Sequence, residues 1–232
     1  GTAPEWGPLI QACSFTETIV PIISVTYIPN SDVNPASCTI YFNADGMRHR
    51  MTGCRGTFKL SAKANNYAEM EFEIWGLFNS VTDTSPILLP VVDSTLPVVS
   101  KGCGFTIGGY DPVTSNLEID IANQLYVFED LNATTGINSI RITGRKPKGK
   151  LEVEAVLEAT ENYWADWEAN LHKTIDLAWN GGAGNIVTLT GHAQHVKIDY
   201  KNDNGVLKYD MELNIPRSSA SVGDSEFTIA LT

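Results

Sequence analysis

The chain has little of what catalysis and metal binding require. Of its 232 residues four are histidine and four are cysteine. Cys13, Cys38, Cys54 and Cys103 stand far apart without a C-x-x-C pair. That spacing disfavours a zinc site or a disulfide frame and suits small buried hydrophobes kept reduced. Positive charge is also scarce, with 16 Lys and Arg against 27 Asp and Glu and a formal charge of −11. A protein that grips nucleic acid displaces counterions with a basic footprint, so a DNA clamp is disfavoured. No apolar run approaches the roughly 20 residues of a bilayer-spanning helix. The longest, Ile19 to Val25 and Pro86 to Val92, both contain proline, and membrane insertion by this chain is not expected.

Reactive motifs are missing as well. There is no G-x-S-x-G elbow, no H-E-x-x-H and no P-loop lysine. His192 and His195 are three apart, which on a strand puts them on opposite faces and prevents a shared metal. His49 lies between Arg48 and Arg50 and reads as a solvated rim; His172 closes an expected helix. Gly102-Cys103-Gly104 and Gly108-Gly109 read as strand-end flexibility, not as a phosphate cradle. No catalytic residue, metal ligand or cofactor is expected, and the protein is read as not an enzyme.

With 43% hydrophobic and 19% charged residues, the chain can bury a core. Period-two alternation dominates: Met70, Phe72 and Ile74 oppose Glu69, Glu71 and Glu73; Leu117, Ile119 and Ile121 oppose Glu118 and Asp120; and Leu151, Val153, Ala155 and Leu157 oppose Glu152, Glu154 and Glu158. These are half-buried strands, punctuated by the turn signals Asp45-Gly46, Asn180-Gly181-Gly182 and Asn202-Asp203-Asn204-Gly205. Two stretches have helical spacing and predict three-turn helices laid on a sheet. Thr2 to Cys13 carries Trp6, Leu9 and Cys13 behind a Thr2-x-x-Glu5 capping box, and Thr160 to Leu171 carries Trp164, Trp167 and Leu171.

The two halves resemble one another in element order. Thr2 and Trp6 align with Thr160 and Trp164, Thr39-Ile40 with Thr174-Ile175, and Met51-Thr52-Gly53 with Leu189-Thr190-Gly191. Phe58 and Leu60 follow with Val196 and Ile198, then Met70, Phe72 and Ile74 with Tyr209, Met211 and Leu213. The expected organisation is a tandem repeat. Residues 1–85 are the C-terminal part of a first unit, 86–100 a Pro-rich linker and 101–232 a second unit. Residues 100–159 find no counterpart, so the first unit is expected to begin upstream of Gly1.

Charge is patterned. Acids alternate along single strand faces, with Glu69, Glu71, Glu73, Asp210 and Glu212 the leading candidates for a functional acidic surface. Against them stands an expected basic loop from Arg141 to Lys150, holding Arg141, Arg145, Lys146, Lys148 and Lys150 and suited to docking on an acidic surface of a neighbouring copy.

The opening residues 1–9, the run Tyr41 to Thr57, and the segments Phe72 to Asn79, Ile142 to Pro147 and Gly223 to Ile229 together resemble the tail tube proteins of long-tailed bacteriophages and prophages. The resemblance implies β-sandwich or barrel-like modules, each with a flanking helix. It also implies a virion structural role: rings, either hexamers or pseudo-hexameric trimers, that stack through contacts between copies and meet other tail proteins. The tube would be a conduit for the genome, made in the bacterial host cytoplasm and carried in the virion tail. The five acids would then line the bore, repelling a polyanion so that DNA passes without sticking, and the basic loop would join subunits or rings. The alternative is a carbohydrate-binding β-sandwich or adhesion module using Trp6, Trp75, Trp164, Trp167 and Trp179 as sugar platforms. Helical spacing favours packing for three of these tryptophans. A hydrolase on the same scaffold would need a concave carboxylate pair with displaced pKa values.

Overall fold

A computed structural model describes residues 2–85, 97–219 and 222–232. Most of the linker expected at 86–100 therefore lies outside the described residues. In chain order the elements are α1 (Gly7–Ala12), β1 (Phe15–Val20), β2 (Ser24–Pro29), β3 (Cys38–Ala44), β4 (Met47–Lys63), β5 (Glu69–Phe78), β6 (Thr82–Asp83), β7 (Thr106–Ile107), β8 (Thr114–Asp120), β9 (Asn123–Glu129), β10 (Ile137–Arg145), β11 (Lys148–Glu154), α2 (Tyr163–Glu168), β12 (Lys173–Asn180), β13 (Ile186–Asp203), β14 (Val206–Asn214) and β15 (Phe227–Leu231). The protein is mainly β, as its alternation predicts.

Among the described residues thirteen strands form one antiparallel sheet that folds over itself, and β9 and β10 form a separate hairpin. The fold-over is possible because β13 is 18 residues long. Its N-terminal half pairs with β12 and β15, and its C-terminal half pairs with β14. One layer therefore runs β1–β2–β15–β13–β12–β7, and the other runs β5–β4–β8–β11–β14–β13. Phe15 of the first layer packs on Phe58 of the second with ring centroids 5.5 Å apart. Phe58, Phe227, Tyr27, Leu151 and Met211 are among the largest fully buried side chains, each contributing about 2 kcal/mol through area removed from water. A single hydrophobic cluster draws on residues from both expected units, including Phe15 and Leu60 from one and Leu117 and Leu189 from the other.

The turns follow their sequence signals. Asp45 and Gly46 both have positive φ, 41° and 88°, in the β3–β4 hairpin, and Asn204 and Gly205 have 54° and 90° between β13 and β14. A two-residue turn matched to strand twist needs that backbone, which Asn, Asp and Gly tolerate. The approach of β5 to β4 is equally demanding, since a Cβ at Gly56 would collide with the backbone carbonyl of Glu73.

Both helices are shorter than the periodicity predicts, six residues each. α1 starts only after Trp6, with Pro8 in its first turn and no side-chain cap, so the Thr2-x-x-Glu5 box is unused. α2 starts at the Asn162 cap, whose side chain accepts from the Ala165 N–H at 2.9 Å. This start turns Tyr163 and Asp166 inward and leaves Trp164 and Trp167 37% and 45% exposed. The core spacing expected of the two tryptophans is thus corrected by the cap. Likewise β11 stops at Glu154, leaving Leu157 exposed.

Two strand triplets share one pattern. β3, β4 and β5 have 7, 17 and 10 residues; β12, β13 and β14 have 8, 18 and 9. In each, the first strand pairs with the N-terminal part of the long second strand, and the third strand extends along its C-terminal part.

Candidate functional site: a charged concave sheet face

The residues that oppose the core on β5, β4, β8, β11, β14 and β13 share one exposed face. Cross-strand register arranges them in rows. One row runs Glu69, Ser61, Glu118, Lys150, Glu212, Lys197. The next contains Glu71, Lys59, Asp120, Lys148 and Asn214, and a third Lys63, Asn116, Glu152, Asp210 and Asp199. The face is concave, enclosing a shallow cleft of about 1240 Å³ lined by Glu69, Glu71, Glu118, Lys148, Lys150 and Glu212 among others.

All five expected acids reach this side. Glu69, Glu71, Glu73, Asp210 and Glu212 are exposed, and Glu73 accepts from the Trp75 indole N–H at 3.1 Å. The surface they belong to is not an acidic stripe, however. In the first two rows five carboxylates are interleaved with four lysines, while the third sets Glu152, Asp210 and Asp199 side by side, with Lys201 and Lys208 bonding Glu152 and Lys197 bonding Asp199. Opposite charges on facing positions stabilise a sheet, whereas like charges oppose it.

The expected basic loop is not a loop. Arg141 and Arg145 lie on β10, Lys148 and Lys150 on β11, with only Lys146 and Pro147 between the strands. Lys148 and Lys150 belong to the concave face, in the rows of the acids they were expected to contrast with. Arg141 stacks over Phe128 with its guanidinium 4.0 Å from the ring centroid, and Lys146 is exposed. Arg145 is internal. Its side chain is 7% exposed and bonds Asp224 at 3.0 Å and Glu226 at 3.1 Å, with the Asn30 carbonyl at 3.3 Å. It ties the β10 end to the segment before β15 and is unavailable for docking.

Sequence reasoning also missed Lys59, Lys63, Lys197 and Lys201. The signal existed, since Lys59 and Lys63, like Lys197 and Lys201, are four apart on one strand and share a face. Glu152 is the most strongly held carboxylate. It accepts from Lys201, from Lys208 at 2.8 Å and from the Ser115 hydroxyl at 2.7 Å. Those hydrogen bonds lower its pKa to about 2. A catalytic proton donor needs the opposite displacement, so Glu152 is suited to charge pairing and not to acid catalysis.

Beside this face, α2 covers a second polar group. Lys173 pairs with Glu161 and Asp166. His195 packs edge-on to Tyr163 at 5.5 Å with neither ring nitrogen hydrogen-bonded, and burial lowers its pKa. His192 lies on the other face of β13, as the three-residue spacing requires. Trp164 leans on Tyr200 at 5.7 Å, and Trp167 donates to the Val196 carbonyl at 2.9 Å. Among the described residues no three His, Cys, Asp or Glu side chains converge as metal ligands. No helix of the described residues is long and apolar enough to cross a membrane.

A family model of phage tail tube proteins matches residues 29–223. The chain belongs to the phage tail tube protein family. The matched span runs from the end of β2 to the segment before β15 and includes every strand of the concave face. Tail tube proteins are structural components of the virion tail that assemble with copies of themselves and with other tail proteins. Among curated proteins none matches the chain at a significant level.

Proposed function

We propose that copies of this chain close into rings that stack into the tail tube, with the concave charged face turned to the bore through which the genome enters the host. The observation that carries this reading is the face itself, a curved six-strand wall whose exposed side chains are almost all charged or polar, in a tail tube protein. A wall with excess carboxylate repels phosphates, and interleaved lysines keep the wall from repelling itself. Glu69, Glu71, Glu73, Asp210 and Glu212 are then bore residues, together with Lys148 and Lys150. Arg141 and Lys146, which remain exposed outside the concavity, are the members of the basic group left for contacts between subunits or rings. The role is mechanical, without catalysis or a cofactor, and the protein is made in the host cytoplasm before joining the tail.

The matching triplets β3–β4–β5 and β12–β13–β14 support reading the chain as two related units, 1–85 and 101–232, that share one core. Two units per chain favour three chains per pseudo-sixfold ring over a simple hexamer. Negative-stain microscopy of the concentrated protein tests the ring, and mass measurement of isolated rings tests the number. Rings with three chains are expected; six chains would remove the pseudo-sixfold reading, and a monomer at all concentrations would remove the ring.

A further inference from the structure

We propose that Cys38 and Cys54 are a modification site, joined as a disulfide across β3 and β4 by exchange with a small-molecule disulfide. The sequence sets these cysteines apart, yet strand register makes them direct antiparallel partners. A bulge brings them level. Between the pair Ile40 and Met51 and the pair Cys38 and Cys54, β4 carries one residue more than β3, and Gly53 takes it up at a φ of 61°. Without that extra residue Cys38 would face Gly53, which has no thiol. Residues directly opposite on antiparallel strands have Cα atoms about 4.5 to 5.5 Å apart, within the range of about 4.4 to 6.8 Å that a disulfide spans. The two thiols hydrogen-bond one another. Gly76 of β5 leaves room beside the Cys54 sulfur, since a Cβ there would stand 2.5 Å from it.

Accessibility sets the order of events. Cys38 is partly exposed and Cys54 is buried, so the Cys38 thiolate meets the small disulfide first. It bonds to one sulfur of that molecule, whose S–S bond breaks and whose other half leaves as a thiol. Cys54 then attacks the Cys38 sulfur, the mixed disulfide breaks, and the second half leaves with the Cys54 proton. Two protein thiols are oxidised to one disulfide, and the small disulfide is reduced to two thiols. Burial raises the pKa of both cysteines, so the exchange is slow at neutral pH and quickens as pH rises. Cys13, at the end of α1, senses Cys38 only through its charge, and burial pushes its pKa up to about 12. It competes poorly as a nucleophile.

The bond secures a lightly held strand. β3 ends its sheet path, and among the described residues β4 is its only strand neighbour. The Asp45-Gly46 turn fixes one end of this pair, and the disulfide closes the other, enclosing residues 39–53. A reducing cytoplasm keeps such a pair as thiols and an oxidising exterior lets it close, which suits a component made inside a cell and used outside it. That setting rests on the tail tube reading; the bond itself does not.

Incubating the folded full chain with oxidised glutathione in mildly alkaline solution tests the site. Trypsin cuts after Arg48, Arg50 and Arg55, and no Lys or Arg precedes Arg48. Mass spectrometry without reductant should therefore find residues 51–55 bound to residues 1–48, the intact protein lighter by the two thiol hydrogens, and Cys103 still free to alkylate. Cys38→Ser and Cys54→Ser should each abolish the linked pair, and Cys13→Ser should keep it. The oxidised parent should melt about 6 °C or more above the reduced form, a gap that a dithiol removes and that Cys38→Ser lacks. A folded parent in which Cys38 stays free or stops at the glutathione adduct, or a bond from Cys54 to Cys13 or Cys103, would overturn the site while leaving the tube reading intact. The linked pair in a chain that never leaves the monomer would overturn the tube reading and keep the disulfide.

Discussion

Replacing Arg145 by Met separates an internal anchor from a docking residue. Arg145 lies in a run of basic residues that invites a surface role, yet its guanidinium bonds Asp224, Glu226 and the Asn30 carbonyl. Met preserves most of the buried stem and removes the charge. Glu226, with 11% of its side chain exposed and Oε2 without a hydrogen-bond partner, then loses its counter-ion. Asp224 is 34% exposed and keeps Ser31, so it suffers less. Breaking a buried pair costs about 3–5 kcal/mol, and partial exposure of Asp224 puts the expected cost near the lower limit, about 3 kcal/mol. For a domain of this size that is a fall in Tm of about 6–12 °C. Urea unfolding followed by tryptophan fluorescence should show the lower midpoint with an unchanged slope. A matched Lys148→Met variant should move it by less than about 0.5 kcal/mol, because Lys148 is 67% exposed and 3.7 Å from Asp120. An Arg145→Met protein with parental stability but defective assembly would refute the anchor and restore the docking role.

Three further outcomes follow from the same structure. Glu152 has its pKa lowered to about 2 from 4.5, so its contribution is present above pH 4.5 and is lost as pH falls toward 2. That displacement sets an upper bound of about 3 kcal/mol, which screening around half-exposed Lys201 reduces to about 1 kcal/mol; Glu152→Gln should therefore flatten the acid limb of a stability–pH curve. His195 is buried and its pKa lies below the ordinary 6.5. The unfolded chain binds the extra proton, so stability declines as pH drops below that value, and His195→Leu should lessen the decline between pH 6.5 and the folded pKa in thermal melts. Gly56→Val should lower stability by about 3 kcal/mol or prevent soluble folding, since a side chain there meets the Glu73 backbone; a parental melting temperature would show that β5 can move away.

Local chemistry was legible in the sequence wherever neighbours along the chain decide the outcome. Asp45-Gly46 and Asn204-Gly205 specify turns by backbone freedom alone, and the alternation around Leu117, Leu151 and Met211 fixes which side of each strand is buried. The acids of β5 and β14 were placed on the exposed side for that reason. What failed depended on distant partners. Arg145 reads as surface because its counter-ions are about 80 residues away, and Lys148 and Lys150 read as a separate basic patch because β8 and β14, which set acids beside them, are remote in sequence. The helices were overextended because Pro8 and the Asn162 cap override the spacing of Trp6 and Trp164.

Interleaving of signs changes what the net charge of −11 means for a conduit. Acids facing acids across strands would repel at about 5 Å, and a bore made only of such rows would strain its own sheet. Rows that alternate Glu118, Lys150, Glu212 and Lys197 instead bind strand to strand through the same side chains that face the lumen. At physiological salt the field of such closely spaced opposite charges cancels within about 8 Å, leaving the surplus of carboxylates to act on a polyanion farther out. In the proposed tube the lysines therefore serve cohesion at short range and the acids serve release at long range.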